Sequence, residues 1–154
     1  MYINQAKFPI EREKMSKNLK LNFSKIGENY EYVAPGNPSV NCIGFALNLN
    51  SRINPQTNNK LNEDPLSIMD ATFLKWGYKR TAENPKQVMK KTGKIVLYAH
   101  THSQKKVREV THAVRQFSDG GWLSKMGDKG IIKVASLDVL SGKEYGEPVA
   151  VYDR

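Results

Sequence analysis

The chain has 154 residues, about the size of one domain, and its 24 Lys and Arg against 15 Asp and Glu give a formal net charge of +9. Its 39% hydrophobic and 9% aromatic content excludes a disordered or collagen-like chain. No apolar run approaches the roughly 20 residues that span a bilayer, and the N-terminus lacks the apolar core of a signal peptide. We therefore expect a globular protein that is cytoplasmic as encoded or exported by a route other than Sec.

The excess of basic residues suits an anionic partner such as nucleic acid, a cell wall or a membrane surface. These residues are dispersed, with pairs at Lys90 and Lys91 and at Lys105 and Lys106, and no helix-turn-helix or zinc-finger spacing accompanies them. Charge alone leaves the partner open.

The N-terminal half is expected to be mainly helical. In residues 1–30, Leu19, Leu21 and Phe23 alternate in a way that suits a short strand or arm, which we expect to pack loosely on a domain formed by residues 31–154. A turn-rich cluster over 34–39 then leads into an apolar stretch that predicts a short buried helix starting near Cys42, with Ser39 or Asn41 as its cap.

Further along the chain, a polar loop over 51–62 precedes a helix that begins at Asp64-Pro65 and stops at Gly77, and a second short helix is predicted from Asn84-Pro85 to Gly93. Strands are predicted over 94–99, 110–117, 122–126, 131–134 and 149–152. Asp119-Gly120 predicts a hairpin between two of them. The fold class is therefore α+β, with N-terminal helices packed on an antiparallel sheet of four to five strands.

Cys42 is the only cysteine, so it belongs either to the core or to a reactive site. A helix N-terminus would lower the pKa of its thiol, and the free N–H groups there could hold an oxyanion. Asn41 and Gly44 would then line the substrate or oxyanion site, with Gly44 allowing close approach. The alternative is an inert cysteine, since free cysteine is among the most buried residue types.

His112 is the best candidate for a base, because it begins a predicted strand that would aim its ring, although a structural histidine remains the alternative. His100 and His102 enter a polar loop and are expected at the surface. A metal site is less well supported than a Cys–His pair, since His100 and His102 supply only two ligands and the fold would have to bring His112 or Asp128 to them as the third. No cofactor or metal is implied.

Three ordered segments carry a resemblance to a known group of proteins. They are Asn41-Cys42-Ile43-Gly44-Phe45-Ala46-Leu47, His112-Ala113-Val114-Arg115-Gln116 and 121–127, followed by the closing stretch 140–146. Together they resemble the papain-like cysteine hydrolases, in particular the bacterial NlpC-type and CHAP-type branch and a poorly characterised bacterial family within it. The resemblance covers residues 35–154 and implies Cys42 as nucleophile, His112 as base and a third polar residue that orients the imidazole.

The third residue follows from the predicted hairpin. A hairpin centred on Asp119-Gly120 would pair His112 with Gly127 and bring Asp128 alongside, so Asp128 is the expected orienting residue. The same alternation puts Ser124 on the opposite face, and Gln116 lies roughly 13 Å along the strand from His112, too far for a hydrogen bond.

The resemblance implies a cysteine-dependent hydrolase or acyl transferase that acts on an amide bond of a protein or a peptidoglycan-like substrate. Peptidases, amidases and deamidases all fit this description, and such proteins include cell-wall enzymes and bacterial toxins or effectors. The alternative is a non-catalytic basic module on the same scaffold that binds an anionic partner such as nucleic acid or cell wall.

Overall fold

The computed structural model describes residues 7–55, 63–104 and 106–154. Lys105, residues 1–6 of the expected arm and residues 56–62 of the expected polar loop lie outside the described residues. Within these residues, three α-helices and seven strands follow in chain order: α1 Pro9–Asn22, β1 Glu31–Ala34, α2 Cys42–Ala46, α3 Pro65–Leu74, β2 Lys79–Arg80, β3 Ile95–Thr101, β4 Val107–Gln116, β5 Trp122–Lys125, β6 Ile131–Val134 and β7 Glu147–Asp153. In the part of the chain that the structure describes, no helix has the length and apolarity that a membrane crossing requires.

The strands form a single seven-stranded sheet in the order β1-β6-β5-β4-β3-β7-β2. Every pairing is antiparallel, so the α+β class is confirmed. The expected count of four to five strands is too low. Five strands come from the C-terminal half, and the N-terminal half adds β1 and β2 at the two edges. These edge strands span only four and two residues, which is too short to give a readable alternation.

Helices cover both faces of the sheet. Alternation along β3 sends Val96 and Tyr98 into one core cluster with Met15 and Leu19 of α1. It sends Ile95 and Leu97 into a second cluster, which α2 and α3 complete. The strands β3 and β4 are thus buried between two helical layers, and α2, which begins at Cys42, lies on the second face.

Pro9–Asn22 form a helix whose buried side chains pack on the sheet, so the expectation of a short strand over Leu19, Leu21 and Phe23 is wrong. Met15 and Leu19 are spaced by four residues and both are fully buried, whereas Leu21 is exposed. Helical spacing therefore decides which side chains enter the core, and the alternation of Leu19, Leu21 and Phe23 is incidental. Pro9 at the first helical turn fits the preference for proline there.

The second short helix predicted after Asn84 is absent, and turns replace it. The Asn84 side chain accepts the Lys86 N–H, and the Glu83 carboxylate accepts the Met89 N–H. Side chains thus satisfy backbone donors that a helix would use, and exposed Met89 offers no apolar face to bury. The helix that follows Asp64-Pro65 is confirmed as α3, and the five predicted C-terminal strands are confirmed as β3 to β7.

Candidate active site

The side chain of Asn41 fixes the start of α2. Its Oδ1 accepts the Gly44 N–H at 2.9 Å and the Ile53 N–H at 3.1 Å, and its Nδ2 donates to the Ile53 carbonyl at 2.7 Å. The first bond is an N-cap, which supplies a partner for a helix donor that has none within the helix. The other two tie the helix to the segment that follows it, so Cys42 is held at a defined position.

Gly44 is required by the packing of the chain on itself. A Cβ atom at this position would lie 1.9 Å from the Ser51 carbonyl oxygen, so only glycine fits. Its N–H is already donated to Asn41. Asn41 and Gly44 thus make internal contacts that fix the start of α2, and their role at a substrate or oxyanion stays a prediction.

Cys42 is half-buried, and desolvation of its thiol raises its pKa. The backbone N–H groups of Ala113 and Ile43 and the charge of Lys125 act in the opposite direction, but they do not reverse the shift. The expectation that the helix terminus lowers the pKa is thus wrong in its net direction. A helix of five residues has a weak dipole, and desolvation outweighs it.

The His112 ring is 3% exposed and is clamped between two side chains. Its Nε2 atom lies 2.7 Å from the Ser124 hydroxyl, and the ring stacks on Tyr145 with a centroid distance of 4.0 Å and an interplanar angle of 10°. Burial, helped by the charge of Lys125, lowers the pKa of the imidazole to about 3. The ring is therefore neutral at pH 7, and its orientation is set by β5 and by Tyr145.

The sulfur atom of Met126 contacts the two side chains that hold the His112 ring, Ser124 and Tyr145. The Ser124 hydroxyl donates to Met126 Sδ at 3.1 Å, and the Tyr145 hydroxyl donates to the same atom at 3.7 Å. Ser124 is fully buried, so these contacts take the place of water. His112, Ser124, Met126 and Tyr145 together form a connected and largely buried group.

The Cys42 thiol reaches β4 at the peptide group that follows His112. The Ala113 N–H lowers the pKa of the thiol, and α2 packs on the face of β4 to which Ala113 belongs. Lys125 lowers the pKa of both the thiol and the imidazole, and the thiol raises the pKa of the Tyr145 hydroxyl. Cys42 and His112 thus both lie near β4, with Lys125 within electrostatic reach of each.

The hairpin that carries Ser124 has a three-residue loop, one residue longer than the two-residue loop expected from Asp119-Gly120. The backbone N–H of Phe117 donates to the Gly121 carbonyl, and Arg115 pairs with Leu123. Gly120 has a φ of 88°, the left-handed conformation typical of the last position of such a loop. This moves the register of β5 by one residue, so each β5 side chain lies on the face of the sheet opposite to the expected one. Ser124 therefore lies on the same face as His112, contrary to the expectation.

Asp128 does not take the position expected of it. Strand β5 ends at Lys125, and the following turn, Gly127–Lys129, carries the Asp128 side chain outward, where it is 83% exposed and 3.7 Å from the Lys129 ammonium. The partner of the imidazole Nε2 is therefore Ser124 rather than Asp128. The shifted register is the physical reason for this correction.

His100 lies within β3, pairs with Glu109 of β4 and is half-buried, so it does not lie in the loop expected for it, whereas His102 lies at the turn that follows and is exposed. Among the residues that the structure describes, no group of three or more His, Cys, Asp or Glu side chains could hold a metal ion. Sequence reasoning missed Ser124, Lys125 and Tyr145. A three-residue loop in the hairpin would have revealed Ser124, but no sequence signal connects Tyr145 to His112.

Residues 31–153 match the DUF7689 family, which is described as a domain of unknown function. The match begins at the first residue of β1 and ends at the last residue of β7, so it covers the whole sheet. No curated protein and no solved structure matches the chain.

Proposed function

We propose an activity for this chain, which belongs to the DUF7689 family: it is a cysteine-dependent hydrolase or acyl transferase that acts on an amide bond. Cys42 is the nucleophile, His112 is the base, and Ser124 is the positioning residue. The observation that carries the proposal is the hydrogen bond between the His112 ring and Ser124, next to Lys125, whose charge acts on both the imidazole and the only thiol of the chain. A papain-like arrangement is part of the proposal, and the order of Cys42 on α2, His112 on β4 and Ser124 on β5 supports it.

The proposal assigns one tautomer to the base. The Ser124 hydroxyl donates to Met126 Sδ, and its oxygen accepts from Nε2–H of the neutral ring. The lone pair then lies on Nδ1, which is the nitrogen assigned to take the proton of the thiol. A neutral thiol and a neutral imidazole form the resting pair, as the direction of both pKa shifts requires.

The reaction follows from this pair. The proton of the thiol moves to His112, a transfer favoured by the Ala113 N–H, which lowers the pKa of the thiol. The sulfur forms a bond to the carbonyl carbon of the amide as the C=O π bond breaks, and the negative charge passes to the carbonyl oxygen. The C–N bond of this tetrahedral intermediate then breaks. The proton then passes to the nitrogen of the leaving amine, and a thioester remains on Cys42. Water releases the acyl group in a hydrolase, whereas a second amine accepts it in a transferase. Protein, glutamine side-chain and peptidoglycan-like amides all fit this scheme.

The proposal is tested by the rate of Cys42 alkylation by iodoacetamide between pH 6 and pH 9, followed by intact mass. Because the chain has one cysteine, each added mass reports on this thiol. We expect His112→Gln, whose amide can still bond Ser124, to lower the rate at pH 7 by about tenfold or more, since it removes the base. His102→Gln changes an exposed histidine and should match the parent.

Equal rates in the parent and in His112→Gln would overturn the proposal. Such a result would favour the second candidate function, a non-catalytic module that binds an anionic partner such as nucleic acid or cell wall. Two observations favour that candidate: burial raises the pKa of the thiol, and the chain has a net charge of +9. Salt-dependent retention on heparin or on isolated cell wall, unchanged in Cys42→Ser, would support it.

A further inference from the structure

Lys125, the last residue of β5, is a buried residue whose ammonium group makes one hydrogen bond to the residues that the structure describes. The residue is 4% exposed, and its Nζ atom donates a hydrogen bond to the Gly127 carbonyl at 2.6 Å. An ammonium group has three donors, and a buried one normally contacts a carboxylate. The acidic side chain that influences Lys125 is Asp128, which points into solvent and pairs with Lys129.

A small cavity of about 260 Å³ adjoins Lys125. Eight residues line it. Lys125 supplies the ammonium group, and the others are amide or apolar side chains: Asn37, Asn48 and Asn50, and Val40, Phe45, Leu49 and Ile131. None of these eight side chains is acidic. The cavity therefore offers an ammonium group and amide donors to a ligand but no anion to compete with it.

The cavity lies next to the proposed nucleophile. Phe45 belongs to α2, which starts at Cys42, and Lys125 is close enough to the thiol to lower its pKa. Arg52 carries a second positive charge, which lowers the pKa of the Lys125 ammonium group. The positive potential of this region is thus concentrated beside the sulfur atom.

We infer that Lys125 binds a carboxylate of the substrate and places the scissile amide at Cys42. The substrate class is an amide with a free carboxylate near its carbonyl carbon, such as a peptide bond next to an acidic residue or to a chain terminus. Lys125 is then a specificity-determining residue, and the cavity receives the acidic group. This inference rests on the proposed function.

Two alkylating reagents that differ only in charge test the inference. Iodoacetate carries a carboxylate and iodoacetamide its neutral amide, and both form a bond from the Cys42 sulfur to carbon with loss of iodide. The readout is the ratio of their rate constants at pH 7 and low salt. We expect Lys125→Met, which keeps the apolar stem of the side chain, to lower the ratio of iodoacetate to iodoacetamide by about tenfold, the size typical of a hydrogen bond to a charged group.

Lys129→Gln is the matched control, because it removes an equal charge from an exposed position four residues away. Its ratio should stay close to that of the parent. A ratio in Lys125→Met equal to that of the parent would overturn the inference, even where the iodoacetamide rate still depends on His112. Loss of His112 dependence would instead overturn the proposed function, so the two failures are distinguishable.

A measurement on the unaltered protein guards against a variant that does not fold. N-acetylglycine at millimolar concentration should slow the alkylation of Cys42 by iodoacetamide, whereas N-acetylglycinamide, its neutral counterpart, should not. Equal protection by the two compounds, or protection by neither, would contradict the carboxylate site.

Discussion

The Nε2 atom of His112 and the Oγ atom of Ser124 lie 2.7 Å apart, on two neighbouring strands of the sheet. Both residues are buried, so this hydrogen bond links the position of the ring to the pairing of β4 with β5.

Ser124→Ala should destabilise the protein. The change leaves a buried ring nitrogen without its hydroxyl partner, which typically costs about 1–3 kcal/mol of the free energy of unfolding. Urea denaturation measures this loss. Ser118→Ala, in the exposed hairpin loop, is the control and should remain within about 0.5 kcal/mol of the parent. A loss for Ser124→Ala as small as that of the control would show that the bond is not formed in solution.

Stability should fall as the pH decreases below about 6.5, because of His112. Its pKa is lowered to about 3 in the folded protein, so between these pH values the unfolded chain takes up a proton that the folded chain does not. The contribution is fully present above about pH 6.5 and is lost as the pH falls toward 3, with a slope of at most about 1.4 kcal/mol per pH unit.

Urea denaturation between pH 6.5 and pH 5 measures this slope in a range where most carboxylates do not titrate. In His112→Gln the free energy of unfolding should change less with pH, because the uptake of one proton on unfolding is removed. His102→Gln should show the same pH dependence as the parent. An identical pH dependence in the parent and in His112→Gln would contradict a buried neutral imidazole.

Tyr145 should act on the site through its ring rather than through its hydroxyl. The ring stacks on His112, whereas the hydroxyl makes a long contact of 3.7 Å with the weak acceptor Met126 Sδ. Tyr145→Phe should therefore keep the alkylation rate of Cys42 at pH 7 within about twofold of the parent, and Tyr145→Leu should lower it several-fold, since stacking contributes roughly 1 kcal/mol. Equal effects of the two changes would show that the hydroxyl matters more than the stack.

Gly44→Ala should disrupt the start of α2. The new Cβ atom would lie 1.9 Å from the Ser51 carbonyl oxygen, and neither backbone segment can move without breaking the bonds of Asn41. We expect a loss of about 3 kcal/mol or more in the free energy of unfolding. Gly127→Ala is the comparison, because its φ is +57° but its surroundings are open, so it should cost only about 1–2 kcal/mol.

Much of the fold could be predicted because strong local signals agreed with the tertiary structure. Asp64-Pro65 marks the start of α3, and the apolar runs after Gly93 give the central strands. The failures occurred where a local pattern competed with packing. Leu19, Leu21 and Phe23 suggested a strand, but burial of Met15 and Leu19 on the sheet selected a helix.

The site was predictable in its elements and not in its details. The turn cluster before Cys42 predicted a helix that begins there, and the structure confirms it. The direction of the thiol pKa depends on how deeply α2 is buried, which no local pattern reports. Tyr145 reaches His112 from a segment 33 positions later in the chain, so only the folded structure reveals that contact.

The length of the turn formed by Ser118, Asp119 and Gly120 sets the register of strand β5 against β4. One residue more or fewer in this turn would exchange inside for outside along the strand and present Leu123 or Lys125, instead of Ser124, to the imidazole. Insertions and deletions at this turn should therefore be rare in the family, or should be accompanied by a hydroxyl displaced by one position in the same direction. A comparison of family members by turn length, rather than by identity at each column, would show whether this rule is obeyed.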